Sequence, residues 1–531
     1  MKIRNKQILI ILLIFVFHSI NNYIWLRLDH KPVFDDQAFH LLGGLQITDM
    51  LSSFHHGGLS KIIGFHIVHF YPPLFHFCMA IFNILFGKSL VSSIMANTIF
   101  LAILYGSLYY IGKKLGNKNI GVLSIFIVSM YPFIFGLSRS SLPDFALTAM
   151  VTLSLCCLFY TDYFTKRLFS LLFGISFGLG MLTKQVFIFF IITPLICVVW
   201  ELFSKREMDK SRASNLFISF LIAFLLSGYW YVSNLMIVLP NYIRAGYHDA
   251  VMFGSVRLFS LSSLSYYLYQ LAANQMSFFF CIIFLVGAMK LFRTKAKMKF
   301  LLFLSIVGVY LIFTFLIKTK EPKSTVPYLP IFAIISSAGI LSVKPTRLRL
   351  FFITFLIIFG LYQYFFISYT STPNNRSKIP FRNLFFSQGY LDPIISYHHF
   401  PSQDNCGVNE VLLLIKRQEK DGKKICGVSG QDAALMRKKG TPWRINYITT
   451  NYYTIEYYCR LSGLTSTIVN LDKESLSKPW WEVDDFSPDT LILVDALEKQ
   501  VPEYIVQRYR LFRIIVLSDK SISYAYTKND N

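Results

Sequence analysis

Long apolar segments separated by short polar loops run through the first two-thirds of the chain. About 18 or more apolar residues are enough for a helix to cross the hydrocarbon core of a bilayer. The first segment, Ile8–Leu26, follows three basic residues but lacks a clear small-residue cleavage site, so we interpret it as a retained anchor. Further spans are predicted at Leu90–Ile111, Ile120–Leu137, Phe145–Tyr160, Leu168–Thr183, Val186–Leu202, Leu216–Leu239, Tyr266–Leu291, Phe300–Ile317, Val326–Val343 and Leu350–Tyr369. The pattern therefore predicts about eleven transmembrane helices.

The segment Pro72–Phe86 is apolar but short, and it begins with two prolines. This pattern is compatible with a span or with a helix that lies in the membrane interface. With an interfacial helix, roughly 20 lysines and arginines fall in loops on the N-terminal side and roughly 11 in the longer loops opposite. This asymmetry follows the positive-inside rule, so we predict an interfacial helix within a first external loop of residues 27–89.

From about residue 370 the continuous apolar runs end and shorter alternating patterns begin. They predict a helix at Val408–Lys416, strands at Lys424–Val428 and Thr490–Asp495, and a hairpin of Arg513–Leu517 with Ile522–Tyr526. An odd number of spans places this tail on the same side as the first external loop. We therefore predict a polytopic α-helical membrane domain over residues 1–369, followed by an extracytoplasmic α/β domain over residues 370–531.

The composition supports a membrane protein and argues against nucleic-acid binding. The 531 residues are 54% hydrophobic and only 15% charged, whereas soluble domains are about 25% charged. The net charge of +23 is explained by basic loops between spans, so it does not require a nucleic-acid partner. The eight cysteines contain no CxxC pair, and Cys406, Cys426 and Cys459 in the tail leave one disulfide plus a free thiol open.

Charged residues that are costly in a membrane recur at the predicted external boundary, which favours a functional site there. Lysine and arginine can hold a phosphate, and a carboxylate can remove a proton from a hydroxyl, so these residues suit a substrate with an anionic headgroup and a lipid tail. The candidates are the adjacent Asp35 and Asp36, then Arg139 and Asp144 in the segment Ser138–Asp144, then Lys184, and finally Lys320 and Lys323.

Each candidate also has a structural interpretation. Asp35 and Asp36 would then lie in a solvated loop, Asp144 would cap the next helix, and Lys184 would extend to the interface. The lysines of residues 318–323 would form a solvated loop. Six histidines crowd the same region, but no HxxxH pair with a carboxylate partner is clear, so we predict no metal and keep a divalent ion as the alternative. They are His40, His55, His56, His66, His69 and His76.

The order of these motifs over residues 1–369 resembles the membrane glycosyltransferases of the C superfamily, in particular the branch of protein O-mannosyltransferases and lipid A aminoarabinose transferases. The shared features are an early acidic pair, a proline-led helix ending in Phe-Gly, and a Ser-Arg…Asp segment, followed by a Gly-rich helix ending in Leu-Thr-Lys and a basic residue before Pro-x-x-Pro. Here they are Asp35–Asp36, Pro72–Gly87, Ser138–Asp144, Gly174–Lys184, and Lys323 with Pro327–Pro330.

This resemblance implies a polyprenyl-phosphate-linked sugar as donor and a hydroxyl of a lipid, glycan or protein as acceptor, with inversion at the anomeric carbon. It makes Asp35 the general base or the carboxylate that orients the acceptor, with Asp36 at the neighbouring acidic position and Asp144 as a further catalytic carboxylate. It makes Lys184 and Lys323 contacts to the donor phosphate, and we add Arg139 and Lys320 to these candidates because they lie at the same boundary. The chain departs from the family pattern at three positions, which leaves the sugar open. Asp36 stands where Glu is commoner, Tyr71 where His or Lys is frequent, and Lys323 where Arg is usual.

The leading hypothesis is therefore a multi-pass glycosyltransferase of the bacterial plasma membrane, with its site on the external face. No nucleotide-binding glycine motif is present, which agrees with a donor that carries its own activation and with no cofactor. A transporter or flippase of lipid-linked sugars is one alternative, although it would require polar residues at mid-membrane depth. A membrane scaffold whose tail binds a partner is the other.

Overall fold

The computed structural model describes most of the membrane part and portions of the tail. The described residues are 3–33, 35–52, 71–248, 258–292, 297–369, 401–403, 408–422, 424–430, 452–470, 489–494, 507, 509–516 and 522–528. The helices up to residue 369 are α1 (Ile3–Leu28), α2 (Asp35–Ser52), α3 (Leu74–Phe86), α4 (Leu90–Met95), α5 (Asn97–Lys114), α6 (Lys118–Ser129), α7 (Pro132–Leu137), α8 (Asp144–Tyr160), α9 (Arg167–Met181), α10 (Phe187–Ser204), α11 (Lys210–Ile243), α12 (Leu261–Gln270), α13 (Phe278–Phe292), α14 (Lys297–Phe315), α15 (Leu329–Leu341) and α16 (Thr346–Tyr369).

The segments predicted to span the membrane are largely helical, but Ile120–Leu137 is divided into α6 and α7, and fewer of the described segments than the predicted eleven are long enough to span. Six helical segments of the described residues are long and apolar enough to cross a bilayer, and a bent pair makes a possible seventh. These six are α1, α4 with α5, α10, α11, α15 with the 3-10 turn before it, and α16. Shorter apolar helices pack between them, and together they bury one large hydrophobic core. The prediction of a helical membrane protein is confirmed.

The predicted single helix Tyr266–Leu291 is wrong, because the chain turns sharply within it. Helices α12 and α13 meet at 119°, and a π-helical turn, Leu271–Gln275, precedes the break. Gln275 lies in this turn and its Nε2 donates to the carbonyl of Pro322 at 2.6 Å and to Thr325 Oγ1 at 2.8 Å. The bend thus brings the amide nitrogen of Gln275 to the 3-10 helix Pro322–Tyr328.

Helix α2 was not predicted from the sequence. Two aspartates at its start stabilise the helix by interacting with the positive end of its dipole. Gly43 and Gly44 oppose helix formation, since each is less favourable than alanine in a helix by about 1 kcal/mol. The tertiary structure explains these glycines. A Cβ atom on Gly43 would lie 3.0 Å from His76 Cδ2, and one on Gly44 would lie 3.0 Å from Met79 Cβ. The two glycines therefore allow α2 to pack closely against α3.

The tail contains the predicted helix, strands and hairpin, together with a second helix and a further strand that the sequence did not predict. The elements are α17 (Val408–Lys420), β1 (Ile425–Gly430), α18 (Tyr452–Leu461), β2 (Thr467–Asn470), β3 (Thr490–Val494), β4 (Tyr509–Val516) and β5 (Ile522–Lys528). The strand order is β2-β1-β3-β5-β4. Strand β1 is parallel to β2 and β3, and β4 and β5 form the predicted antiparallel hairpin. The apolar faces of α17 and α18 cover this sheet.

Helix α18 also contacts the beginning of the chain. Thr454 Oγ1 donates to the carbonyl of Val33 at 2.9 Å, and the ring of Tyr453 lies 5.5 Å from that of Phe39 on α2. Cys459, on the same helix, carries a free thiol and is buried in the core of the tail, so it makes no disulfide with Cys426. Cys406 lies outside the described residues.

Candidate active site

The first part of the candidate site is an ion pair between α2 and the 3-10 helix. Lys323 Nζ donates to Asp36 Oδ2 at 3.1 Å and lies 3.4 Å from Glu321 Oε2. Asp36 keeps 36% of its side-chain surface exposed, whereas Lys323 keeps only 13%. The structure thus joins two predicted site residues that are far apart in the sequence. Asp35 begins α2, but its side chain lies outside the described residues.

The second part is a more deeply buried ion pair. Asp144 is the first residue of α8, and Lys184 lies in the connection between α9 and α10. Lys184 Nζ donates to Asp144 Oδ1 at 2.9 Å, and only 3% of the aspartate side chain is exposed. Asp144 does not cap α8, because the N-cap position is Pro143 and no side-chain cap is formed. Its Oδ2 is buried and accepts no hydrogen bond within the described part of the chain.

His40 and Tyr71 lie between the two ion pairs. His40 Nε2 is 3.6 Å from Asp36 Oδ1, and the rings of His40 and Tyr71 are 4.5 Å apart. Lys184 Nζ is in turn 5.9 Å from the centre of the Tyr71 ring. The predicted residues Asp36, Asp144, Lys184 and Lys323 are therefore gathered into one cluster of charged groups around an imidazole and a phenol.

The electrostatics of the cluster follow from burial and from its two lysines. Burial of Asp36 raises its pKa, but the attraction of Lys323, His40 and Lys184 outweighs this effect and the pKa falls to about 2. Burial of His40 lowers its pKa to about 4, although Asp36 opposes the change. Burial also raises the pKa of Tyr71 well above its usual value. At neutral pH the aspartate is thus ionised, and the imidazole and phenol are uncharged.

The loop before α8 is tied to α2 by hydrogen bonds. Ser141 Oγ donates to the carbonyl of Gln37 at 3.0 Å. Asn97 Nδ2 donates to the carbonyls of Ser138 and Ser140 at 3.2 and 2.9 Å. These contacts hold the start of α8, and therefore Asp144, in a fixed position relative to Asp36.

The structure places Arg139 in a separate buried network. Arg139 Nε donates to Asn22 Oδ1 and Nη1 to Ser368 Oγ, both at 2.9 Å, and Nη2 donates to the hydroxyl of Tyr364. Its guanidinium also lies 5.4 Å from the centre of the Trp25 ring. Arg139 therefore links the loop before α8 to α1 and α16, and the described contacts do not connect it to either ion pair.

Replacing Arg139 with methionine tests this structural role. We expect the substitution to destabilise the fold by about 1–3 kcal/mol, because it leaves the buried acceptors Asn22, Ser368 and Tyr364 without their donor. Thermal unfolding of the purified protein measures the change. A variant with unchanged stability and lost donor binding would instead support the phosphate contact that the sequence suggested.

Lys320 also lies outside the cluster. Its Nζ donates to the carbonyls of Phe313, Thr314 and Ile317, and it lies 5.6 Å from the centre of the Tyr267 ring. Burial lowers the pKa of Lys320 to about 8. Lys320 therefore satisfies carbonyls in the last turn of α14 and just beyond it, which is a common role for lysine at a helix C-terminus.

Sequence reasoning missed the roles of His40, Tyr71 and Glu321 beside the predicted residues. The i,i+4 spacing of Asp36 and His40 would have indicated a shared face, but only once residues 35–52 are recognised as a helix. Within the described residues, no three His, Cys, Asp or Glu side chains are grouped to hold a metal ion. His55, His56, His66 and His69 lie outside the described residues.

Sequence comparison finds a family match over part of the chain. Residues 71–230 match the model of the dolichyl-phosphate-mannose-protein mannosyltransferase family, a range that contains Tyr71, Asp144 and Lys184. A protein of Aquifex aeolicus (strain VF5), named only as an uncharacterized protein, is 25% identical over 233 residues. The match covers 43% of this chain and 44% of that protein, so the chain spans less than half the length of this relative.

Structural comparison covers nearly the whole chain. The crystal structure of ArnT from Cupriavidus metallidurans in the apo state superposes with a TM-score of 0.61 at 12% identity and covers 97% of both chains. The structure of the same protein bound to undecaprenyl phosphate gives a TM-score of 0.60 at 13% identity and the same coverage. The chain therefore shares the fold of ArnT, and its residues 71–230 are similar in sequence to the dolichyl-phosphate-mannose-protein mannosyltransferase family.

Proposed function

We propose that this protein is an integral-membrane glycosyltransferase that moves a sugar from a polyprenyl-phosphate donor to a hydroxyl acceptor on the external face. The observation that carries the proposal is the single cluster formed by the Asp36–Lys323 and Asp144–Lys184 ion pairs. The fold shared with ArnT, which has been crystallised with undecaprenyl phosphate, supports a lipid phosphate as the donor headgroup. The acceptor is a hydroxyl of a lipid, a glycan or a protein.

The two aspartates differ in accessibility, which suggests different roles. Asp36 is 36% exposed and ionised, so it can accept a hydrogen bond from an acceptor hydroxyl and take its proton as the new bond forms. Asp144 is only 3% exposed and is held by Lys184. We therefore assign the proton transfer to Asp36 and the positioning of Lys184 to Asp144. Asp35 stays a predicted member of the site.

The lysines are the candidates for binding the leaving phosphate. The acceptor oxygen forms a bond to the anomeric carbon from the face opposite the phosphate, and the bond to the phosphate oxygen breaks with its electron pair. The departing polyprenyl phosphate then gains negative charge, which nearby cations stabilise. An ammonium has three N–H donors, so Lys184 and Lys323 can each contact a phosphate as well as a carboxylate. Arg139 and Lys320 have no part in this assignment.

Binding of the donor lipid tests this proposal without knowledge of the sugar. Native mass spectrometry of the detergent-solubilised protein measures the fraction bound to undecaprenyl phosphate. We expect Lys323→Met to reduce the affinity by about tenfold or more, because a charge-assisted contact to an ionised group contributes about 1.5–3 kcal/mol. Lys88→Met is the control, since Lys88 is an exposed lysine that pairs with Asp49 outside the cluster. Equal affinity of both variants and the unchanged protein would contradict the proposed donor site.

Movement of the lipid separates transfer from transport. Proteoliposomes that contain a labelled polyprenyl-phosphate sugar report both the label on an acceptor and the label that has crossed the bilayer. Label that reaches an acceptor supports the transferase, whereas label that only crosses the bilayer indicates a flippase. If the label is neither transferred nor moved across the bilayer, a scaffold role is the better explanation.

We further expect transfer to proceed without a divalent cation. Lys323 lies 3.1 Å from Asp36 and Lys184 lies 2.9 Å from Asp144, so each carboxylate already has a compensating positive charge where a metal ion would otherwise bind. Transfer measured in EDTA, with and without added Mg²⁺ or Mn²⁺, tests this expectation. Activity that is lost in EDTA and restored by one of these ions would show that a metal is required.

A further inference from the structure

Two buried histidines, His40 and His76, extend inward from Asp36, with His40 next to the carboxylate and His76 next to His40. His40 and His76 are 0% and 1% exposed, and their rings lie edge to edge, with centres 5.1 Å apart and planes inclined by 23°. His40 Nδ1 and His76 Nε2 are 2.9 Å apart, which is a hydrogen-bond distance. On its other side the His40 ring presents Nε2 to Asp36 Oδ1 at 3.6 Å. The two imidazoles thus form a row that ends at the carboxylate.

The carboxylate decides which nitrogen of each ring carries a proton. An unprotonated His40 Nε2 would place its lone pair against the negative charge of Asp36, which is unfavourable in a buried site. His40 therefore carries its proton on Nε2 and accepts at Nδ1. The donor to His40 Nδ1 must then be the Nε2–H of His76. Burial holds the pKa of His40 at about 4, so the ring has a single proton at neutral pH.

Close packing holds this row in place. A Cβ atom on Gly43 would lie 3.0 Å from His76 Cδ2, so glycine at this position leaves just enough room for the ring. His40 is one helical turn after Asp36 on α2, and His76 is on α3. The two rings therefore connect α3 to the carboxylate of Asp36.

We propose that His40 and His76 are positioning residues that orient the Asp36 carboxylate, with His76 Nε2–H donating to His40 Nδ1 and His40 Nε2–H directed at Asp36 Oδ1. This inference rests on the function proposed above. Lys323 contacts Oδ2 and His40 faces Oδ1, so the carboxylate is directed by a fixed group on each oxygen. An acceptor hydroxyl then meets a base of defined orientation, and orientation is a large part of catalytic rate.

Two substitutions of His40 separate orientation from packing. The amide nitrogen of glutamine can take the place of Nε2, whereas that of asparagine reaches only as far as Nδ1. We expect His40→Asn to lower kcat by about 10- to 100-fold with a much smaller change in KM, because it removes the group that faces Asp36 Oδ1 and so loosens the orientation of the base. His40→Gln should recover most of this loss. Equal kcat values for the two variants, with both folded, would overturn the proposal.

The same pair can be tested without measuring transfer. The unfolded chain takes up a proton at His40 near pH 6.5, but the folded chain does so only near pH 4. Folding stability from this group is thus complete above pH 6.5 and is lost as the pH falls towards 4. The groups that act on His40 are Asp36, Lys184, Asp144 and Lys323, together with the neighbouring rings of Tyr71 and His76.

Thermal unfolding of the full chain in detergent between pH 7.5 and about 4.5 therefore provides the second measurement. We expect the unfolding temperature of the unchanged protein to fall over this interval more steeply than that of His40→Gln. Parallel curves would mean that the imidazole is not held uncharged beside Asp36, and would overturn the inferred proton arrangement. If the unchanged protein shows this pH dependence but no transfer, the proposed function fails while the histidine pair remains.

Discussion

Replacing Asp36 with asparagine will reduce sugar transfer by about 10²- to 10⁴-fold, which is the usual contribution of a general base. Asparagine keeps the shape of the side chain and can still accept a hydrogen bond from Lys323, but it cannot take a proton from the acceptor. We expect little loss of stability, because Asp36 is partly exposed and Lys323 retains its contact with Glu321. Initial rates with a labelled polyprenyl-phosphate sugar measure the effect.

Asp49→Asn is the matched control for this experiment. Asp49 lies near the end of the same helix, is exposed, and pairs with the exposed Lys88 outside the cluster. A surface ion pair of this kind contributes only about 0–1 kcal/mol, so this variant should transfer sugar at the rate of the unchanged protein. If Asp36→Asn were as active as Asp49→Asn, Asp36 could not be the base.

Replacing Lys184 with methionine is expected to have the largest effect on stability. The substitution leaves the carboxylate of Asp144 buried and without its cation, and breaking a buried ion pair in this way costs about 3–5 kcal/mol. The double variant Lys184→Met with Asp144→Asn should recover most of this stability, because it removes the buried charge as well. It should still bind the donor phosphate more weakly than the unchanged protein, because one of the two lysines assigned to the phosphate is missing. Thermal unfolding and native mass spectrometry measure the two properties.

Lys166→Met provides the comparison for stability. Lys166 Nζ lies 3.4 Å from Asp162 Oδ2, and both side chains are about half exposed, so solvent screens their attraction. We expect a change of less than about 1 kcal/mol in this variant. A similar small change in Lys184→Met would mean that Asp144 is protonated or solvated in the native protein, and would contradict a buried ion pair.

The site residues could be predicted from the sequence only as a set of candidates. Arg139, Lys184, Lys320 and Lys323 are all cations at the ends of apolar segments, and their local sequences do not distinguish them. Only Lys184 and Lys323 reach the aspartates in the structure. Arg139 and Lys320 are used within the fold, by a buried network and by a helix end. The difference depends on which side chains lie nearby, and that depends on contacts between distant segments.

The sequence alone determined which segments form apolar helices and which parts of the tail form strands. Both patterns are local, because the free energy of transfer into lipid depends on one apolar run and the pairing faces of strands depend on alternate residues. The hairpin of β4 and β5 was predictable for the same reason. The order of the charged motifs carried the family resemblance, and the fold that the chain shares with ArnT agrees with it.

Only the tertiary structure decided the shape of the site. Helix α2 carries two glycines that weaken its helical pattern, and its packing against α3 and α18 compensates. The bend between α12 and α13 brings the amide nitrogen of Gln275 to the 3-10 helix that also carries Lys323. A contact between residues hundreds of positions apart leaves no periodic signal along the chain. The aspartates and lysines are therefore recognisable in the sequence, whereas their pairing and the histidines behind them are properties of the folded protein.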